Sequence, residues 1–382
     1  MNAPLSSDEK REFLKRGFSR RSFGRLASLI TAGAALPFYN ESAMAQLSML
    51  KGPKPAGAVL INANENPMGP CPEAADAMYN VIKKGGRYMY EETFTFTNLL
   101  AQQEGVKPDY VMAFAGSSAP LHQAVLAFTS PTKSYVAGDP GYEAGGRAAK
   151  FIGAPIHNVP LTKDYAHDVK AMVAADPNAG LIYICNPNNP TGTLTSRADI
   201  EWALANKPAG SILMVDEAYM HIAGSTPTTD LVAADKEIIV LRTFSKLYGM
   251  AGLRAGAAIA RPDLLKRLSE YSAGAMPVTG MVGATASLSV PTLIPERRKI
   301  YKDVRDDVFA WMTAKNYKFV PSVSNKFMVD TGRPGGQVIA AMAKENVYIG
   351  RVWPSWPTYV RVTIGTKDEM AKFKTAFAKV MA

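Results

Sequence analysis

Cysteine and histidine are scarce in this chain. Only two cysteines, Cys71 and Cys185, occur in 382 residues, which excludes a scaffold held by many disulfides. The four histidines, His122, His157, His167 and His221, are scattered, with no HxxxH or CxxC partner. A protein-ligated metal is therefore not expected. Long blocks of one charge are missing as well. Lys and Arg outnumber Asp and Glu by 43 to 33, a net charge of +10, yet the basic residues are spread along the chain. Without a basic block or a nucleic-acid motif, that surplus fits a basic globular protein better than a partner of DNA or RNA. No internal repeat is visible, which argues against a solenoid.

What is present is ordinary globular composition, 47% hydrophobic and 20% charged. The length allows roughly two domains. The N-terminus is different in kind. It reads Ser19-Arg20-Arg21-Ser22-Phe23, then an apolar stretch from Leu26 to Tyr39, then Ala43-Met44-Ala45 before Gln46. A basic region, a weakly apolar region and a small-residue cleavage pattern follow one another in the order of an export leader. The apolar stretch is 14 residues long, short of the roughly 20 that a lasting membrane helix needs. The arginine pair followed by Phe resembles a twin-arginine signal. That resemblance implies a leader over residues 1–45, a mature chain from about Gln46, and a periplasmic or secreted protein. No stable membrane anchor is expected.

Residues 46–84 read as an extended arm followed by a short helix, which starts at Pro72 and stops before Gly85-Gly86. Residues 85–275 alternate apolar runs with helical segments. Leu181–Cys185, Ile212–Val215 and Ile238–Leu241 are short continuous apolar runs, as expected of strands buried on both faces of a mainly parallel sheet. This predicts a large α/β domain. Residues 276–382 predict a smaller α+β domain, with short strands around 326–330 and 359–364 and a final helix over 367–380.

In such sheets, ligands sit outside the carboxyl ends of the strands. Each of the three runs ends there in polar residues. Cys185 is followed by Asn186-Pro187-Asn188-Asn189-Pro190-Thr191-Gly192, Val215 by Asp216-Glu217-Ala218-Tyr219, and Leu241 by Arg242-Thr243-Phe244-Ser245-Lys246. Any one of these could be a loop, a helix cap or a solvated lysine; together they converge on one crevice. Gly116-Ser117-Ser118 precedes an apolar helical stretch. A helix N-terminus with small residues offers backbone N–H groups and a favourable dipole end to a phosphate.

These motifs, from about Leu60 to the C-terminus, resemble the class I and II aminotransferases of fold type I, and most of all their histidinol-phosphate aminotransferase branch. The branch-like features are Asn62-Ala63-Asn64-Glu65-Asn66-Pro67, Arg87-Tyr88, Val215–Tyr219, Ser245-Lys246 with Ala251-Gly252-Leu253-Arg254, and Val360–Gly365. The resemblance implies pyridoxal 5'-phosphate as cofactor, with Lys246 as its Schiff-base lysine and acid/base. Asp216 is to pair with the pyridine nitrogen, Tyr219 and Asn189 with the ring oxygen, and Tyr142 is to stack on the ring. Thr243, Ser245 and Arg254 are to join Gly116, Ser117 and Ser118 around the phosphate. Tyr88 is to reach the phosphate of a neighbouring subunit, which implies a homodimer. Arg361 is the candidate for the substrate's α-carboxylate, and Arg351 for a substrate phosphate.

Two departures from the branch bear on substrate. Met68 stands where the branch usually has Tyr, and Trp353 and Trp356 lie between the two arginines. Both imply a drier pocket less suited to phosphate, unless the tryptophans merely pack the small domain. Transfer of an amino group between an amino acid and a 2-oxo acid is the reading the residues favour. Decarboxylation of an amino acid on the same scaffold stays open, as does a non-enzymatic cofactor-binding role.

Overall fold

Apolar runs that follow one another in the chain become neighbouring strands. The computed structural model describes residues 7–19, 52–271 and 275–382. In chain order its first strands are β1 (Val59–Ile61), β2 (Val111–Phe114), β3 (Ser134–Asp139), β4 (Ile156–Pro160), β5 (Ala179–Cys185) and β6 (Ile212–Asp216). The others are β7 (Ile238–Thr243), β8 (Gly256–Ile259), β9 (Phe319–Val320), β10 (Lys326–Asp330), β11 (Val347–Ile349) and β12 (Tyr359–Thr363). One sheet has the order β2-β8-β7-β6-β5-β3-β4. β4, β3, β5, β6 and β7 run parallel, and β8 is antiparallel to β7 and β2. Every residue of β5, β6 and β7 is buried, which is why these strands read as unbroken apolar runs. From β3 the sheet grows one way to β4 and the other way through β5, β6 and β7. The crevice at that reversal is where such sheets bind ligands.

The small domain carries an antiparallel sheet in the order β12-β10-β9. The N-terminal arm joins it as a parallel partner: β1 pairs with β11, Val59 opposite Val347. The last helix, Lys367–Met381, starts with a reciprocal capping box. Thr366 accepts from the Glu369 N–H while the Glu369 carboxylate accepts from the Thr366 N–H.

Residues 7–19 lie within the stretch that the sequence marks as a leader, yet they pack on the large domain. The helix Ser7–Lys15 is followed by Arg16, whose guanidinium donates to Leu126 O at 2.6 Å and Thr129 O at 2.9 Å. These carbonyls end the helix Ser118–Phe128, where a cation opposes the negative end of the helix dipole. Phe18 is buried. Arg20, Arg21 and Ala43-Met44-Ala45 lie outside the described residues.

A buried ion cluster ties the large domain together behind the crevice. The Arg242 guanidinium donates to both oxygens of Glu104, at 2.5 and 2.8 Å, and to Glu217. Glu217 also accepts from the N–H and hydroxyl of Thr228. Burial works to raise the Glu104 carboxyl, but Arg242 outweighs it and holds it below its usual range. Removing one partner of such a group leaves uncompensated buried charge. Arg242→Met should therefore cost about 3–5 kcal/mol, read as a fall in the urea unfolding midpoint. A loss below about 1 kcal/mol would mean that the cluster contributes little.

Candidate active site

Register explains how the strand-end residues meet. Cys185 pairs with Asp216, and Asp216 with Leu241, so the loops after β5, β6 and β7 leave the sheet side by side. They enclose a cavity of about 270 Å³. Lys246, Asp216, Tyr219, Asn189 and Tyr142 line it, as do Ser117, Ser118, Thr243, Ser245 and Arg254. Ten of the residues singled out in the sequence are thus brought to one cavity.

Asp216 sits at its floor, 3% exposed. Its carboxylate accepts from the Tyr183 hydroxyl at 2.8 Å and from the Ala218 N–H at 3.1 Å. Burial pushes its carboxyl up to about 6, against the pull of these donors and of Lys246. Tyr183 had no role in the sequence reading. The available signal was a phenol inside an apolar strand, which needs a partner when buried.

The other end of the cavity collects donors. Gly116 has φ +82°, and a Cβ there would lie 2.2 Å from Arg254 Nη2. Glycine at this position therefore lets the guanidinium lie against the backbone ahead of the helix Ser118–Phe128. Arg254 donates to Ser245 Oγ at 3.3 Å and Ala115 O at 3.0 Å. The Thr243 hydroxyl donates to Ser245 Oγ at 3.0 Å. Among the described residues no carboxylate pairs with Arg254, and burial pulls its pKa down. A half-buried cation among hydroxyls and a helix N-terminus is suited to an anion such as a phosphate. A buried carboxylate facing it across the same cavity is suited to a protonated ring nitrogen. The side chains present therefore fit pyridoxal phosphate at both ends.

A third group reaches in from the small domain. The Arg361 guanidinium is fully buried and donates to Asn189 Oδ1 at 3.0 Å and Asn62 O at 2.7 Å. It stands one hydrogen bond behind the cavity rather than in its wall. Asn64 Nδ2 donates to the Tyr219 hydroxyl at 3.0 Å, linking the arm to the same network. Lys326, also buried, places Nζ 3.1 Å from the Tyr219 ring centroid and donates to Ser324 Oγ. The sequence reading gave neither Asn64 nor Lys326 a role. Cys185 lines the cavity too, but burial pushes its thiol up to about 12, so it stays protonated at neutral pH.

Other expected residues lie elsewhere. Tyr88 is 78% exposed and stacks on Tyr90, away from this chain's own cavity. Arg351 is paired with Glu143 at 2.7 Å. Trp353 is buried with Val320 and Met328, and Trp356 packs beside them. The two tryptophans therefore pack between the small domain and the large domain's Gly141 and Tyr165, and do not line the cavity. Met68 likewise packs against the main core.

Comparison with known proteins agrees with this geometry. The family model for aminotransferase class I and II matches residues 57–377. Histidinol-phosphate aminotransferase 1 of Nitrosococcus oceani is 31% identical over 326 residues, 83% of this chain and 87% of the relative. The aromatic amino acid aminotransferase of Rhodococcus jostii is 32% identical over 325 residues, 84% of this chain and 90% of the relative. Histidinol-phosphate aminotransferase from Sinorhizobium meliloti, solved in complex with pyridoxal-5'-phosphate, shares the fold. Its TM-score is 0.80 at 23% identity, over 95% of this chain and 98% of that one.

The Asp216 environment has a pH consequence. A carboxylate there favours a protonated ring nitrogen, so this contribution to cofactor affinity is present above about pH 6 and is lost as pH falls through that value. Tyr183→Phe removes a donor to the charged form. It should move the acid limb of cofactor affinity upward by about one pH unit, about 1.4 kcal/mol. Fluorescence titration of the cofactor-free protein with pyridoxal phosphate measures this. An acid limb left in place would deny Tyr183 its role.

Proposed function

We propose that this chain, which belongs to the class I and II aminotransferases, takes its amino group from an amino acid whose α-carboxylate binds Arg361. It is a pyridoxal-phosphate-dependent enzyme like histidinol-phosphate aminotransferase, acting on an amino acid and a 2-oxo acid. The observation that carries the proposal is one cavity holding Lys246, Asp216 and Arg254, with Arg361 one hydrogen bond behind Asn189. Bound pyridoxal phosphate supplies a ring that takes up the electron pair left on the donor's α-carbon. Asp216 keeps the ring nitrogen protonated, which maintains that capacity. Lys246 Nζ holds the cofactor and moves the proton at the α-carbon. Tyr219 and Asn189 orient the ring, and Ser117, Ser118, Thr243, Ser245 and Arg254 hold the phosphate. The Arg361 fork exchanges its present oxygen partners for the donor's carboxylate.

The working unit is proposed to be a homodimer. Tyr79, Ile82, Tyr88, Tyr90 and Phe94 are all more than 60% exposed within one short stretch. Such a concentration of exposed apolar side chains favours a covering partner, and a second copy would bring Tyr88 to its neighbour's phosphate site. Export is proposed from Arg20-Arg21-Ser22-Phe23 and Ala43-Met44-Ala45 alone.

An amino-acid panel with the holoenzyme tests the donor assignment through loss of the cofactor's aldehyde-form absorbance. Arg361→Ala should weaken every donor alike, by about 1.5–3 kcal/mol. An effect confined to some donors would move the α-carboxylate elsewhere, and release of carbon dioxide would mark a decarboxylase. Light scattering on the same preparation should find two chains per particle, and one chain would remove the role given to Tyr88. For export, Arg20→Lys with Arg21→Lys should retain the protein in the cytoplasm. Full-length unaltered protein found only in the cytoplasm would end that proposal.

A further inference from the structure

We propose that Glu143 sets the substrate class: by neutralising Arg351 it excludes substrates with an anionic side chain and leaves uncharged ones. This deepens the proposal above, and it rests on Arg361 being the α-carboxylate site.

Arg351, just after β11, lies beside Arg361 of β12, whose N–H donates to Arg351 O at 3.3 Å. Their guanidinium carbons lie 4.6 and 5.6 Å from the centroid of the Trp353 ring. Both cations therefore lie against the same indole. The proposal places the side chain of a substrate whose α-carboxylate lies on Arg361 beside Arg351, which shares the Trp353 ring with it. That place suits Arg351 to a second anionic group only if its charge is available.

The structure commits the charge elsewhere. Arg351 Nη1 donates to both oxygens of Glu143, at 2.7 and 2.9 Å. Glu143 meets Arg351 from the large domain, without a side-chain cap hydrogen bond of its own. It follows Tyr142, which lines the cavity, and it occupies the N-cap position of the helix Ala144–Ile152, where the dipole favours a carboxylate. The loop before it is fastened to the small domain. Trp353 Nε1 donates to Gly141 O at 2.8 Å, and the Ser355 hydroxyl donates to Asp139 Oδ1 at 2.9 Å. An incoming carboxylate or phosphate must displace this fixed counter-ion or lie beside it, and either course opposes binding. Glu65, besides Asp216, adds an acidic residue to the cavity lining. An uncharged side chain meets no such cost. Donor and acceptor use one site in turn, so the same restriction applies to the 2-oxo acid.

Half-reactions of the holoenzyme test this without an acceptor. The cofactor's absorbance is followed on mixing with phenylalanine, aspartate or glutamate. In the unaltered protein phenylalanine should react at least about tenfold faster than either anionic donor, in second-order rate constant, a difference of about 1.4 kcal/mol. Glu143→Gln should raise the ratio of anionic donors to phenylalanine by about tenfold or more, and Glu143→Ala should do the same. Adding Arg351→Met to Glu143→Gln should cancel that gain, because the gain comes from a released cation. A ratio within about twofold of the unaltered protein's in both single variants would overturn the proposal. So would a gain that survives Arg351→Met, or an unaltered protein that takes aspartate or glutamate as readily as phenylalanine. Failure of the Arg361 assignment is separately visible, as donors that Arg361→Ala leaves unaffected.

Discussion

Parallel pairing of β5, β6 and β7 is the constraint on which the site depends. It sends three carboxyl ends to one edge, and a one-residue slip would turn Asp216 away from the Tyr183 hydroxyl. Complete burial of these strands specifies the register. The Arg242 cluster adds a polar tie, joining the end of β7 to Glu217 after β6 and to Glu104 of the helix Tyr90–Glu104. A buried guanidinium has few acceptable geometries. The chain from Thr243 to Lys246 therefore leaves the sheet from a fixed starting point.

Within the cavity, burial creates opposite electrostatic demands at its two ends. It raises the carboxyl of Asp216 and depresses the pKa of Arg254. Each shift means that the charged form lacks what water would have supplied. A ligand with a protonated ring at one end and a phosphate at the other meets both demands at once. Phosphorylated small molecules without a basic ring would meet only one. The small domain acts by reach: Arg361 and Lys326 arrive on β12 and β10, and Asn64 comes from the arm that β1 anchors to β11.

Much of this was legible in the sequence, for reasons that can be named. Strands buried on both faces must be apolar throughout, so β5, β6 and β7 stood out, and their polar tails marked the crevice. Lys246, Asp216, Tyr219 and Asn189 occupy those tails and all line the cavity. Tyr183 was hidden because side-chain direction inside a two-sided strand leaves no period to read. Lys326 was hidden because a single lysine ordinarily reads as a solvated charge, whereas here it is buried against an aromatic face. Trp353 and Trp356 stand between the arginines in the sequence, but only packing shows that they lie against the large domain's Gly141 and Tyr165 rather than in the cavity.

By itself, the sequence determined the family, the α/β architecture, the cofactor and most of the residues that line one cavity. These follow from local pattern: apolar period, strand-end polarity and short motifs whose spacing is fixed by the chain. The tertiary structure alone decided which charges stand opposed. Glu143 and Arg351 are far apart in the chain yet form an ion pair through one guanidinium nitrogen and both carboxylate oxygens, and Glu104 and Arg242 form a two-pronged one. Charge pairing depends on distances of a few ångströms across separate elements, and no period or motif along one strand of sequence records them.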